Sequence, residues 1–181
     1  MSDNIVKEQG EFHKEVSELI EIIENIWLSN KAREAAADKL VNIGGELAIK
    51  ALSLLAKNKE IAVRALAYAS LRNMVTQLPE GKVKFLERAS KKYDRDLKTI
   101  KQQTKPLNSA LKSAEIWGKK NGYPLYEKYP QYEKIHMIGE KINQIGGHSG
   151  MWIPYNNILE NNRMAASFLE GMWHGIGTWQ R

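Results

Sequence analysis

Residues 32–43 and 63–74 of this chain resemble one another at an offset of 31 residues. Arg33 meets Arg64, Ala35 meets Leu66, Leu40 meets Leu71, Asn42 meets Asn73 and Ile43 meets Met74. Both segments carry apolar residues at helical spacing. Such an offset fits a helix, a turn, a second helix and a turn. A unit of that kind cannot hide its apolar face alone and has to stack on a neighbour. The repeat therefore predicts antiparallel helical hairpins packed side by side.

The flanking sequence is also helical in pattern. Phe12, Val16, Leu19, Ile20, Ile23, Ile26 and Trp27 form one stripe at spacings of three and four, with Glu11, Glu15, Glu18, Glu21 and Glu24 on the other faces. Ser29-Asn30 is the cap signal for a second helix over about 31–43, which Gly44-Gly45 stops. A third is expected over about 46–57. Asn58 would cap a fourth, over about 60–77, which Pro79 and Gly81 end. A fifth helix is expected over about 82–105, broken by Pro106, and a sixth to about Lys120. Residues 121–131 read as a loop whose tyrosines pack on the body. Helix resumes over about 131–145, at about 151–159 and from about Arg163. A weaker echo of 38–45 at 140–147 reads as two helix ends with glycine caps.

The motif Ala62-Val63-Arg64-Ala65-Leu66-Ala67, with Ile43-Gly44-Gly45 and Ala48-Ile49-Lys50-Ala51-Leu52 before it, resembles the short HEAT repeats of phycobilisome-lyase-like proteins. The resemblance covers about residues 31–78. It implies an α-α superhelix of HEAT-like hairpins in the N-terminal half. The tail, Trp173-His174-Gly175-Ile176-Gly177-Thr178-Trp179, is similar to the endings of small uncharacterised bacterial helical proteins. That likeness implies no function. The expected architecture is all-α, with a HEAT-like region over 1–105 and a packed helical C-terminal region over 106–181.

Composition narrows the function classes. With no cysteine, disulfides, thiolate metal sites and cysteine nucleophiles are excluded. No run approaches the ~18 apolar residues of a membrane span, and Met1-Ser2-Asp3-Asn4 lacks the basic start of a secretory signal, so a cytoplasmic protein without membrane contact is expected. The net charge of +6 is uneven: residues 1–30 carry −5, residues 31–81 carry +3, residues 82–120 carry +8 and residues 121–181 balance. A concentrated basic stretch attracts anionic partners better than dispersed charge.

Three candidate sites follow. Solenoids bind proteins along extended faces, which the HEAT resemblance places near Arg33 and Arg64. The basic helix offers Lys84, Arg88, Lys91, Lys92, Arg95, Lys98 and Lys101 to nucleic-acid phosphates. The C-terminal aromatic region, with Trp152, Tyr155, Trp173 and His174, is the place for an enzyme site. Glu133-x-x-His136 has di-iron spacing but no second copy, and reads as an exposed ion pair. His148 reads as a solvated turn residue and His174 as a packed tail histidine. No catalytic, cofactor or metal residues are assigned. The expected function is a non-enzymatic protein-interaction module, with nucleic-acid binding and then an enzyme as alternatives.

Overall fold

The computed structural model describes residues 2–122 and 125–179, with side chains from His13 onward. The expectations for Glu11, Phe12, Tyr123 and Pro124 lie outside the residues described in full, as do Gln180 and Arg181 of the tail. The described residues are helical and contain no strand. They form α1 (Ser2–Glu24), α2 (Asn30–Ile43), α3 (Gly45–Leu55), α4 (Ile61–Asn73), α5 (Glu80–Gln102), α6 (Thr104–Leu111), α7 (Ala114–Asn121), α8 (Tyr132–Asn161) and α9 (Arg163–Met172). Short 3₁₀ turns lie at Val75–Gln77 and Tyr126–Lys128. No described helix is long and apolar enough to cross a membrane.

The chain divides into two compact units, Met1–Tyr93 and Asp94–Arg181. The division falls inside α5, not at Pro106. Pro106 does not break a helix; it sits in the first turn of α6, where a missing N–H costs nothing.

In the first unit α1 packs on α2, and α3 on α4. Across these two hairpins α1 lies on α3 and α2 lies on α4. The segments aligned at the 31-residue offset thus fall on α2 and α4, which pack against each other. Their core holds Val16, Leu19, Ile23, Leu40, Leu52 and Leu71, all buried. Leu86 of α5 completes it, and Tyr93 meets Tyr68 edge to face at 5.6 Å. The Ser29 hydroxyl accepts from the Ala32 N–H, as its cap signal predicts. Asn58 acts one step further out: its Oδ1 accepts from the Glu60 N–H at 2.8 Å, ahead of α4. Its Nδ2 donates to Glu24 at 2.9 Å, tying the two hairpin turns together.

Gly44, at φ 66°, ψ −164°, and Gly45, at φ 68°, together turn α2 into α3. Gly147 turns the two halves of α8 with φ 64°, ψ −162°. Only glycine occupies that backbone region readily. The echo between 38–45 and 140–147 therefore marks a glycine corner in each unit, made by two positive-φ glycines at the first and by Gly147 alone at the second. In the second unit this corner folds α8 back on itself: a Cβ on Gly150 would stand 3.5 Å from the Ile142 carbonyl oxygen. The core of that unit joins Ile100, Leu107, Ile142, Met151, Ile158 and Leu169. Tyr129 is buried; its hydroxyl donates to the Ala110 carbonyl at 2.6 Å, and its ring meets Trp117 at 5.2 Å.

Candidate functional site

The first unit carries an open apolar groove along α3. Two adjoining hollows form it, and both are lined by Pro79 and Lys82. The first, of about 450 Å³, runs past Gly45, Glu46, Ile49 and Lys50 to Gln77. The second, of about 370 Å³, runs past Ser53 and Lys57 to Gly81 and Phe85. Positions 46, 49, 50, 53 and 57 recur at helical spacing, so the α3 side of the groove is one face of that helix and its exit turn. The other wall exists because α4 stops at Asn73. A 3₁₀ turn and the extended Leu78 then carry Pro79 into the first turn of α5. Its carbonyl accepts from the Lys82 N–H at 2.8 Å.

The groove's chemistry is simple. Ile49, Pro79 and Phe85 supply apolar surface. Lys50, Lys57 and Lys82 set three cations around it, against one carboxylate, Glu46. The Lys57 ammonium sits 5.5 Å from the Phe85 ring centre, a cation–π contact that holds it at the apolar edge.

The arginines expected to meet a partner lie elsewhere. Arg33 is 2% exposed and Arg64 is 7% exposed. Arg33 Nε donates to the Ile23 carbonyl at 3.0 Å, in the last turn of α1. Arg64 Nη1 reaches the Asn58 carbonyl at 3.4 Å, just past α3. Each arginine starts the second helix of its hairpin and reaches carbonyls at the exit of the first. A cation there also meets the negative end of the helix dipole. The two aligned arginines thus make the same kind of contact, each to a carbonyl at its own hairpin turn. Buried side chains cannot meet a partner, which corrects the sequence expectation. Burial lowers the Arg33 pKa, and the nearby Glu60 partly opposes the shift.

Seven of the eight cations of α5 are exposed; the eighth, Lys82, is half-buried at the groove. Lys84, Arg88, Lys91 and Lys92 belong to the first unit; Arg95, Lys98 and Lys101 belong to the second. Lys84 pairs with Glu80 at 3.3 Å. The acids Glu15, Glu18, Glu21 and Glu24 of α1 are exposed too.

The C-terminal aromatics form a packed cluster in the second unit. Trp152 meets Tyr155 at 5.1 Å and Trp179 at 5.2 Å, and Trp173 meets Trp179 at 5.4 Å. These are contact distances for aromatic pairs. Trp173 is fully buried, and its indole N–H donates to the Ile135 carbonyl at 3.0 Å. The tail is docked by Trp173, Ile176 and Trp179. Two histidine expectations are reversed here. His174 is exposed, outside the cluster. His148 is buried within it, and its Nε2 accepts the Trp152 indole N–H at 2.8 Å. An indole only donates, so Nε2 carries no proton. Spacings of four and three place His148, Trp152 and Tyr155 on one helix face, a signal present in the sequence.

His136 does not pair with Glu133. Its Nδ1 donates to the Met172 carbonyl at 2.9 Å, and its Nε2 lies 3.9 Å from Glu140. Among the described residues no group of three or more His, Asp or Glu side chains is placed to hold a metal ion. Compared with protein-family models, curated proteins and solved structures, the chain matches none of them.

Proposed function

We propose that this chain is a non-enzymatic protein-interaction module that docks its partner in the groove along α3. The observation that carries the reading is that groove: a solvent-open apolar strip, concave and edged by polar groups. The HEAT-like, phycobilisome-lyase-like resemblance and the α-α superhelix belong to this proposal. What supports them is the stacking of α1 on α3 and α2 on α4, with an arginine closing each hairpin. Stacked hairpins present extended surfaces to macromolecules.

The test is affinity capture of tagged full-length protein from native lysate, with and without nuclease. Gly81→Trp fills the groove: a Cβ at Gly81 meets no atom within 4 Å, so the ring has room to enter the hollow. Partners that survive nuclease and are lost with Gly81→Trp support the reading. Partners indifferent to Gly81→Trp count against the groove.

A second reading, nucleic-acid binding, is favoured by the exposure of seven of the eight cations on α5. Each phosphate neutralised on duplex DNA steepens the salt dependence of log K by about 0.9. Association that vanishes with nuclease and with Lys91→Glu/Arg95→Glu would move this reading to first place. An enzyme site draws no support from the C-terminal aromatics: Tyr155 and Trp173 are buried against Trp179, and His174 stands apart.

A further inference from the structure

Resting on the interaction-module reading, we infer that the groove's partner is an acidic amphipathic helix. Two features of the groove define this chemistry.

The first is charge. Three ammonium groups and one carboxylate border the apolar strip. A basic segment is repelled there, and a neutral one gains only apolar burial. An acidic one gains both burial and pairing. Lys82 borders both hollows, so a carboxylate beside it acts wherever the apolar anchors sit. Lys50 and Lys57 are about two helical turns apart, roughly 10 Å.

The second is backbone chemistry. A peptide that docks by strand addition needs a sheet edge, and no described residue of this chain is in a strand. A helix satisfies its own N–H and C=O groups before it docks. The hollows lie one after the other along α3. A partner helix fills them with apolar side chains at i and i+7, about 10 Å apart, and sets Glu or Asp beside each anchor.

The experiment uses the full chain and three fluorescent helical peptides. Each carries Leu at i and i+7; the flanking positions hold Glu in one, Gln in the second and Lys in the third. Anisotropy titrations are run at low and high salt. The Glu peptide is expected to bind about tenfold more tightly than the Gln peptide at low salt, from up to three exposed charge pairs. High salt narrows that ratio. In Lys50→Glu/Lys57→Glu/Lys82→Glu the order inverts and the Lys peptide binds best. Gly81→Trp abolishes binding of all three. Circular dichroism melts confirm that the variants fold.

If the Gln and Lys peptides match the Glu peptide and Gly81→Trp still blocks them, the acidic partner is wrong while the docking groove stands. Concentration-dependent self-association that Gly81→Trp abolishes, with no peptide binding, gives the groove to a second copy and overturns the inference. If no peptide binds and captured partners ignore Gly81→Trp, both the inference and the reading beneath it fail.

Discussion

Gly139→Ala tests how the second unit holds its tail. Gly139 is buried in the first half of α8. A Cβ there would stand 2.6 Å from Trp173 Cδ1 and 2.8 Å from Ile176 Cδ1. Ordinary carbon contacts begin about 1 Å further out. The indole has nowhere to go: it is fully buried, bonded to the Ile135 carbonyl and edge-on to Trp179. Overpacking of this kind costs roughly 1–3 kcal/mol. A weakened indole bond adds about 1 kcal/mol, and the better helix propensity of alanine returns about 1 kcal/mol. The net loss is about 1–3 kcal/mol. For a unit of this size that lowers the melting temperature by roughly 5–15 °C. Tryptophan fluorescence in urea reads it selectively, because Trp117, Trp152, Trp173 and Trp179 lie in the second unit and Trp27 in the first. Gly81→Ala, with open space around its Cβ and a helical backbone, is the control and gains up to about 1 kcal/mol. A Gly139→Ala protein as resistant to urea as wild type would refute the close seating of α8 on the tail.

Other substitutions probe the corners and the buried charges. Gly147→Ala or Gly44→Ala puts a side chain at φ near +65° with extended ψ and costs about 1–3 kcal/mol in urea unfolding. Gly122→Asn, at a left-handed helix cap with φ 70°, ψ 30°, costs only a few tenths of that. Arg33→Met removes a buried cation whose Nη2 has no hydrogen-bond partner among the described residues. It also takes the donor from the Ile23 carbonyl and is expected to cost about 1–2 kcal/mol, whereas Arg33→Ala adds a cavity and costs about 2 kcal/mol or more. Burial, then Glu170, raises the Tyr155 pKa, so the unfolded chain forms phenolate first as pH rises. The stability this group contributes is complete below about pH 10. It is lost as pH climbs from there through the higher folded value. Tyr155→Phe is expected to flatten that alkaline loss in urea midpoints measured against pH.

Much of the fold is legible because helices obey a local period. The stripe on α1, the Ser29 cap and the offset joining α2 to α4 all depend on residues within a few turns of one another. What the sequence hides is where a break is a corner. Gly146-Gly147 reads as a helix end followed by a loop. In the structure Gly147 takes φ 64° and the next helix starts at once. The choice between stop and corner is made by what lies opposite. Gly150 lets the second half of α8 approach the Ile142 carbonyl, and Ile100 lies against the same spot. Pro106 makes the complementary point, since proline starts a helix as readily as it ends one.

The site was harder to read than the fold, for a physical reason. A repeated arginine has two explanations, a shared partner or a shared structural task, and sequence similarity alone treats them alike. Burial separates them: side chains 2% and 7% exposed that reach carbonyls at helix exits are closing hairpins. The same logic moves attention from His174, conspicuous beside Trp173, to His148, whose spacing to Trp152 and Tyr155 points it inward. The groove leaves still less trace. Its α3 face shows as Glu46, Ile49, Lys50, Ser53 and Lys57. Its opposite wall is set by where α4 stops and how a single 3₁₀ turn delivers Pro79, Lys82 and Phe85. A docking surface made by the end of one helix and the start of another cannot be read from either alone, and so a charge-reversed Lys82 reports on the groove more directly than any substitution of Arg33 or Arg64.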